Sequence, residues 1–242
     1  MLRVDSDADA AELYDRLNPW GPSDDFYLPF VMGASSVLDV GCGTGVLLRR
    51  AREGGHTGRL CGLDPDIASL ARARRRNDVE WVEGKAADAP WTAEFELAVM
   101  AGNAFQVFVT DDELRASPAA IRAALTDGGR FVFGTRNPQA RAWEDWNSSD
   151  PFEVVDHTGR PLRMSYQVES VVDGVVTLTE TTATREGEPL RTDRASLRFL
   201  EVAGIDAFLG AAGFKVENWY GDWARGPLTA ASEDVVVVVR AV

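Results

Sequence analysis

SVLDVGCGTG, residues 36–45, is the stretch that decides the fold of this chain. An apolar run ends in three alternating glycines, Gly41, Gly43 and Gly45, and a helix-forming stretch starts at Val46. That order predicts a buried strand, a tight turn and a helix. Glycines let a ligand approach the backbone closely, and the N–H groups of the turn and of the helix start are unpaired donors. The stretch therefore predicts a cradle for the polar part of a nucleotide-like ligand.

The next predicted strand ends in a carboxylate residue. Residues 60–64 have the sequence LCGLD and end in Asp64, which lies 19 residues after Gly45. A carboxylate at this strand tip can accept hydrogen bonds from two ribose hydroxyls, and both a dinucleotide and S-adenosylmethionine fit such a site. Dinucleotide loops have the pattern Gly-x-Gly-x-x-Gly. This loop has the pattern Gly-x-Gly-x-Gly, with Asp39 two residues before its first glycine, which favours S-adenosylmethionine.

The segment from Asp39 to Gly45 resembles the first motif of the class I S-adenosylmethionine-dependent methyltransferases, which it matches position for position. The resemblance implies that the cofactor is S-adenosyl-L-methionine and that the loop backbone lies along its methionine portion. It also implies that Asp39 orients the ammonium group of the cofactor. The loop residues that the resemblance places against the cofactor are Gly41, Cys42, Gly43 and Gly45.

Further cofactor contacts are expected after the following strands. Pro65 and Ile67 come directly after Asp64, where they can pack on the adenine face. In the resembling family a carboxylate just past the third strand accepts from the adenine amino group and a neighbouring backbone N–H donates to the ring. Asp88 and its neighbour Ala87 match those positions. The candidates after the fourth strand, for the methionine end or for the methyl acceptor, are Gly102, Asn103 and Gln106.

All these candidates follow strands of one predicted sheet. Ligands of open α/β sheets bind beyond the carboxyl ends of the strands, so the candidates converge on one edge. We expect an α/β fold with a Rossmann-like, mostly parallel seven-stranded sheet and helices on both faces. The apolar run Val235–Val239 predicts a strand buried on both faces. In the resembling family this seventh strand lies antiparallel between the fifth and the sixth.

Two local sequence features predict where a helix starts and where another is interrupted. Ser23 or Asp24 is expected to cap a short helix that ends at Val31. Pro118 stands inside the helical pattern of residues 111–125, which predicts a break or a kink there.

The chain divides into a predicted N-terminal helical cap at residues 1–34, a core at 35–149 and 201–242, and an insert at 150–200. Alternating residues and the Asp173-Gly174 turn predict three or four antiparallel strands in the insert. Such an inserted sheet after the fifth strand can form a lid, a substrate wall or the surface of a homodimer. Its polar candidates are Arg163, Tyr166, Arg191 and Arg198.

Methyl transfer from a sulfonium is an in-line displacement in which the leaving group is already supplied. The protein mainly aligns the reactants, so the absence of a recognisable catalytic triad is no objection. A hydroxyl acceptor needs a general base, whereas an amine can bind neutral or lose its proton to a nearby base. We expect N- or O-methylation of a small-molecule acceptor. The sequence does not choose among the candidate bases, which are Tyr14, His157, Tyr220 and Asp222.

The amino-acid composition disfavours several other functional classes. The net charge is −13, from 25 basic and 38 acidic residues, which disfavours a nucleic-acid partner. There is no apolar run of about 18 residues, so no membrane-spanning helix is expected. Met1–Ala11 is polar and acidic, unlike a signal peptide, and two cysteines fit a reduced, cytoplasmic protein. Two distant histidines and no Cys-x-x-Cys pattern indicate no metal site.

Two other functions remain open. An NAD(P)-binding Rossmann oxidoreductase would share the fold and Asp64, but the glycine spacing and the lack of a Tyr-x-x-x-Lys signature disfavour it. A non-catalytic S-adenosylmethionine-binding protein would keep the same loop as a scaffold or regulator.

Overall fold

The computed structural model describes residues 7–147 and 151–242. These residues form two sheets and six α-helices. The strands are β1 (Ser36–Val40), β2 (Arg59–Asp64), β3 (Glu80–Glu83), β4 (Phe95–Met100), β5 (Leu125–Arg136), β6 (Phe152–Val155), β7 (Pro161–Val172), β8 (Val175–Thr184), β9 (Pro189–Arg198), β10 (Phe214–Tyr220) and β11 (Asp234–Ala241). The helices are α1 (Asp7–Leu17), α2 (Pro22–Gly33), α3 (Val46–Glu53), α4 (Ile67–Ala73), α5 (Asp111–Ala124) and α6 (Val202–Ala211).

The main sheet has seven strands in the order β10-β11-β5-β4-β1-β2-β3. Strands β1 to β5 pair in parallel, and β11 runs antiparallel between β5 and β10. The predicted Rossmann-like sheet with an antiparallel seventh strand is therefore confirmed. The order reverses between β1 and β4, and such a switch point opens a crevice at the carboxyl ends of the strands.

Helices cover both faces of this sheet, as expected. One face packs against α2 and α3 through a cluster that includes Tyr27 and Leu48. The other face packs against α5 and α6 through a cluster that includes Ile121 and Leu209. The valines of β11 alternate between these two clusters, which is why the run is apolar at every position.

Helix α5 runs without interruption from Asp111 to Ala124 and contains Pro118, so the predicted break is wrong. Leu114 and Ile121, on either side of the proline, are fully buried against the sheet. A capping box between Thr110 and Glu113 also fixes the helix start. Core packing and the cap outweigh the one backbone hydrogen bond that proline cannot make.

Helix α2 begins two or three residues earlier than a cap at Ser23 or Asp24 would allow. Gly21 is the capping residue and Pro22 is the first helical residue, a position where proline needs no N–H partner. Asp24 instead accepts a hydrogen bond from the Gly21 N–H at 2.9 Å. Strand β5 starts at Leu125, which pairs with Phe95 before a register shift at the glycine turn.

The insert forms a separate four-stranded antiparallel sheet in the order β6-β7-β8-β9, here called the lid sheet. Asp173 and Gly174 turn β7 into β8 with φ values of 50° and 75°, as a two-residue hairpin requires. Leu162 and Met164 of the lid sheet pack against Leu13 of α1 in a small cluster of their own. The cap helix thus contacts the lid sheet. None of the described helices is long and apolar enough to cross a membrane.

Candidate active site

The site begins at the glycine loop, residues 41–45, which joins β1 to α3. Gly41, Gly43 and Gly45 adopt φ values of 73°, 52° and 77°. A Cβ atom on Gly45 would stand 2.3 Å from the ring of Trp81, which comes from the neighbouring β3. Both the backbone conformation and the close approach of Trp81 therefore require glycine at position 45.

Asp39 lies in β1 just before the glycine loop and is 2% exposed. Its Oδ1 atom is buried and has no hydrogen-bond partner among the described residues. Burial, helped by the negative charges of Asp64 and Asp24, raises the pKa of the Asp39 carboxyl to about 8. A buried carboxylate without a partner is costly, so a cation placed here would be bound strongly.

Asp64 connects the end of β2 to the glycine loop. Its Oδ2 accepts a hydrogen bond from the Gly43 N–H at 2.7 Å, and its Oδ1 accepts one from the Asp66 N–H at 2.8 Å. Burial raises the pKa of this carboxyl, and the two backbone bonds oppose the rise. Each oxygen keeps a second lone pair, so two ligand hydroxyls can still be accepted.

A cavity of about 370 Å³ opens beside these two strand ends. Pro65 and Ala87, the candidates for the adenine end, line it together with Lys85 and Ala86. Ile67 is 59% exposed and does not line the cavity. Asp88 is exposed and also lies outside the lining. The remaining lining residues are Val40, Gly41, Leu63, Asp64, Gly84, Met100, Ala104, Val107, Phe108, Glu113 and Ser117.

The three predicted residues in the segment after β4 lie in different environments. Gly102 and Asn103 both have positive φ, 62° and 58°, and the Oδ1 atom of Asn103 is buried without a partner among the described residues. Gln106 is completely buried. Its Oε1 accepts from Arg136 Nη1 at 3.1 Å and its Nε2 donates to the Arg198 carbonyl at 3.5 Å. Gln106 therefore orients Arg136.

The cap helix α1 is attached to the glycine loop by Asp15. Thr44 Oγ1 donates to Asp15 Oδ1 at 2.5 Å. Arg72 of α4 pairs with Asp15 at 3.3 Å and with Glu12 at 3.0 Å. These bonds hold α1 beside the glycine loop.

Tyr14 brings a hydroxyl from the cap to the same edge. A Cβ atom on Gly102 would lie 3.5 Å from the Tyr14 hydroxyl. The pKa of this phenol is raised by burial and then by the charges of Asp15, Asp64 and Asp24, while Arg136 opposes the rise. Although the residue as a whole is 52% exposed, its hydroxyl end lies in negative surroundings.

The lid sheet contributes Tyr166 and Glu180, which are register partners on β7 and β8. They share a side-chain hydrogen bond. Burial, followed by the charge of Glu180, raises the pKa of Tyr166 to about 12. Arg136 and Tyr14 both act on the pKa of Tyr166, which places the lid, cap and core groups near one another. We call Tyr14, Gly102, Arg136, Tyr166 and Glu180 the edge cluster.

The candidate residues at the end of β10 and in the loop after it are engaged in contacts within the protein. Asp222 Oδ1 accepts from the Ala224 and Gly226 N–H groups at 2.9 and 2.7 Å, which closes a turn. The Tyr220 ring packs edge-on against Phe26. His157 is exposed in the turn between β6 and β7, and no described contact joins it to the edge cluster.

Three comparisons with known proteins bear on this geometry. Residues 37–129 match the model of a methyltransferase domain family. The chain is 30% identical over 218 residues to the cypemycin N-terminal methyltransferase of a Streptomyces species, covering 85% of this chain and 82% of that protein.

The chain belongs to the S-adenosylmethionine-dependent methyltransferases.

One further relative agrees with this family, and one solved structure shares the fold. The methyltransferase is 33% identical over 150 residues to the 2-phytyl-1,4-naphtoquinone methyltransferase of Thermosynechococcus vestitus, covering 56% of this chain and 65% of that protein. An S-adenosylmethionine-dependent methyltransferase from Clostridium acetobutylicum has the same fold, with a TM-score of 0.78 and 15% identity over 96% of this chain and 97% of that one.

The residues of this methyltransferase fit its cofactor, S-adenosyl-L-methionine. The unpartnered Oδ1 of Asp39 suits an ammonium group, and the two oxygens of Asp64 suit a ribose diol. The loop glycines leave room for a ligand beside the backbone. The Cys42 thiol lies against Gly62, and burial raises its pKa, so it is an uncharged packing group.

Sequence reasoning did not select three residues of the edge. Arg136 and Glu180 carry no site prediction from the sequence. Nor does Asp234, which accepts from Trp223 Nε1 at 2.8 Å. Arg136 ends a core strand, so the rule that ligands bind at carboxyl ends could have found it. Glu180 lies opposite Tyr166 because the β7–β8 register shifts between Val168 and Ser170, and the turn at Asp173-Gly174 does not predict that shift.

Proposed function

We propose that this methyltransferase methylates an amine nitrogen of a small molecule. The observation that carries the proposal is the negative environment of its tyrosines. The pKa values of Tyr14 and Tyr27 are raised by burial and by nearby aspartates, and that of Tyr166 by burial and by Glu180. Burial is the largest cause in each case, but carboxylate charges add to it, and it is these negative charges that would also stabilise a cation.

When bound, the cofactor would supply a methyl group on a sulfonium. An amine lone pair would form the new N–C bond in line with the breaking C–S bond, and neutral S-adenosylhomocysteine would leave. Asp39 is proposed to hold the cofactor ammonium, Asp64 the ribose, and the cavity beside Pro65 and Ala87 the adenine. Their task is alignment, which can contribute roughly 7 kcal/mol or more of the barrier reduction. The positive charge then moves toward the acceptor nitrogen, where the edge carboxylates stabilise it.

The edge cluster favours an amine acceptor over a hydroxyl acceptor. A hydroxyl needs a base, and a phenol whose pKa is raised is a poor base near neutral pH. His157 is exposed in a turn of the lid sheet, and Asp222 is occupied by two backbone N–H groups. An amine that binds neutral needs no base before transfer. Glu180 can then accept the proton that the methylated nitrogen loses.

The cap and the lid sheet are proposed to enclose the acceptor and exclude water. Tyr14 reaches Gly102 from the cap, while Tyr166 belongs to the lid sheet, so each supplies one wall of the edge cluster. The relative named as an N-terminal methyltransferase spans 85% of this chain, which supports an amine acceptor. The quinone methyltransferase spans 56% of the chain and gives no support to this choice.

The test is transfer of labelled methyl from S-adenosylmethionine to pairs of small acceptors that differ only in an amine or a hydroxyl group. We expect product from the amines, and transfer confined to the hydroxyl partners would refute N-methylation. Calorimetry with S-adenosylmethionine and NAD checks the cofactor separately. Tight binding of S-adenosylmethionine without transfer to any acceptor would favour a binding protein.

A further inference from the structure

Arg136 is a half-buried cation that forms no salt bridge with any described residue. Among the described residues no carboxylate oxygen lies within 4.0 Å of its guanidinium, whereas Arg72 and Arg198 pair with Glu12 and Asp111 at 3.0 and 3.1 Å. Asp234 is its register partner across the sheet, and its charge raises the pKa of Arg136 against the effect of burial, but its side-chain hydrogen bond comes from Trp223 Nε1. Charges withdrawn from water are normally paired, so Arg136 differs from Arg72 and Arg198 in this respect.

The guanidinium is held firmly in spite of lacking an ion pair. Its Nη1 donates to Gln106 Oε1 at 3.1 Å, and Gln106 is itself completely buried. The ring of Trp146 lies 5.0 Å from the guanidinium carbon. A neutral amide and an aromatic face fix the direction of the group without neutralising its charge.

The other donors of Arg136 remain available. A guanidinium has five N–H groups, and the one described hydrogen bond of Arg136 goes to Gln106. The buried, unpartnered nitrogens of the described residues include Nε of Arg72 and of Arg198 but none of Arg136. The remaining Arg136 nitrogens are therefore reached by solvent at the edge cluster.

We propose that Arg136 binds an anionic group, a carboxylate or a phosphate, of a ligand held at the edge cluster. The fork of N–H groups matches two oxygens of such an anion, and reduced hydration strengthens the pair. Burial lowers the pKa of Arg136, in keeping with a desolvated cation that an anion would relieve. This inference rests on the proposed function, because it treats the edge cluster as the place of methyl transfer.

Two sources can supply the anion: the acceptor, or the methionine carboxylate of the cofactor. An acceptor anchored in this way would be an amine that also carries an acidic group. Arg136 would then select such amines and fix their position relative to the glycine loop.

The experiment compares Arg136→Gln and Arg136→Lys with wild type and with the control Arg163→Gln. Arg163 is half-buried in β7 and has no described ion pair. Binding is measured by calorimetry for S-adenosylmethionine, its decarboxylated form, acetate and inorganic phosphate. The two anions are titrated with and without saturating S-adenosylhomocysteine, and the unfolding midpoint of each variant is recorded.

If the acceptor supplies the anion, Arg136→Gln weakens acetate and phosphate binding roughly 10- to 100-fold, the range for a charge-assisted hydrogen bond. The affinity for S-adenosylmethionine then stays the same, and Arg136→Lys shows a smaller loss. If the cofactor supplies it, Arg136→Gln weakens S-adenosylmethionine to that extent but not its decarboxylated form.

Equal affinities of wild type, Arg136→Gln and Arg163→Gln for all four probes would overturn the inference. The proposed function would survive that result, provided that wild type binds S-adenosylmethionine. Failure of wild type to bind S-adenosylmethionine would instead remove the proposed function. The acetate and phosphate titrations without S-adenosylhomocysteine would still test Arg136.

Discussion

Binding of S-adenosylhomocysteine is predicted to release a proton from Asp39. In the ligand-free protein the pKa of Asp39 is about 8, so at pH 7 about nine in ten of these carboxyls are protonated. An ammonium placed against the unpartnered Oδ1 favours the ionised form and lowers that pKa. Complex formation at pH 7 should therefore release close to one proton, and about half a proton at pH 8.

The same linkage fixes the pH dependence of affinity. Below pH 8 the carboxyl must lose its proton before it can pair, so binding strengthens by up to about tenfold for each pH unit between pH 5 and 8. Calorimetry in two buffers with different ionisation enthalpies measures the released proton directly. Asp39→Asn should bind weakly and release no proton, while Asp127→Asn, at an exposed carboxylate, should match wild type.

The stability of the ligand-free protein should fall as the pH rises, whereas the affinity for the ligand should increase. The folded pKa lies above the unfolded value of 3.8, so stability is lost as the pH rises from about 4 to 8. At about 1.4 kcal/mol per pH unit, Asp39 costs at most about 4 kcal/mol at pH 7. Asp39→Asn should raise the free energy of unfolding by part of that amount. Proton release that is zero in wild type, with equal affinity in Asp39→Asn, would refute the reasoning.

Three further predictions concern the glycine loop and the cap. Asp64→Ala removes the acceptor of the Gly43 N–H and should weaken S-adenosylmethionine about 100-fold by calorimetry, and unchanged affinity would show that the ribose binds elsewhere. Gly45→Ala should lower the free energy of unfolding by about 2–4 kcal/mol in denaturant titrations, with partial recovery when Trp81→Leu is added. An equally stable Gly45→Ala variant would contradict the contact. Asp15→Ala should speed hydrogen exchange in α1 but not in the main sheet, and unaltered exchange would mean that the bond to Thr44 does not hold the cap.

The core of the fold follows from the sequence because its signals are local. The apolar run of β1 followed by alternating glycines specifies one turn geometry, and φ values of 52° to 77° at those glycines agree with it. The run Val235–Val239 is apolar at every position because each residue meets one of two clusters. Signals of this kind need no knowledge of distant residues.

The edge cluster is less accessible to sequence reasoning. Arg136, Tyr166 and Tyr14 come from β5, the lid sheet and the cap, and only the packing of these three elements brings them together. Pro118 shows the same limit, since its effect on α5 is outweighed by burial of Leu114 and Ile121. Long-range packing, rather than local preference, decides these positions.

The lid sheet holds its apolar residues in two small clusters that are separate from the core. One of them, around Val176 and Phe199, includes no residue of the main sheet. The chain leaves the core after Arg136 and re-enters it at α6. Neither junction is at Asp39 or Asp64, the two residues proposed to hold the methyl donor. Residues 151–197 can therefore diverge as a cassette, whereas Arg198 pairs with Asp111 and Leu200 packs in the core. An exchange of this cassette between related enzymes should alter acceptor choice while leaving affinity for the methyl donor in place.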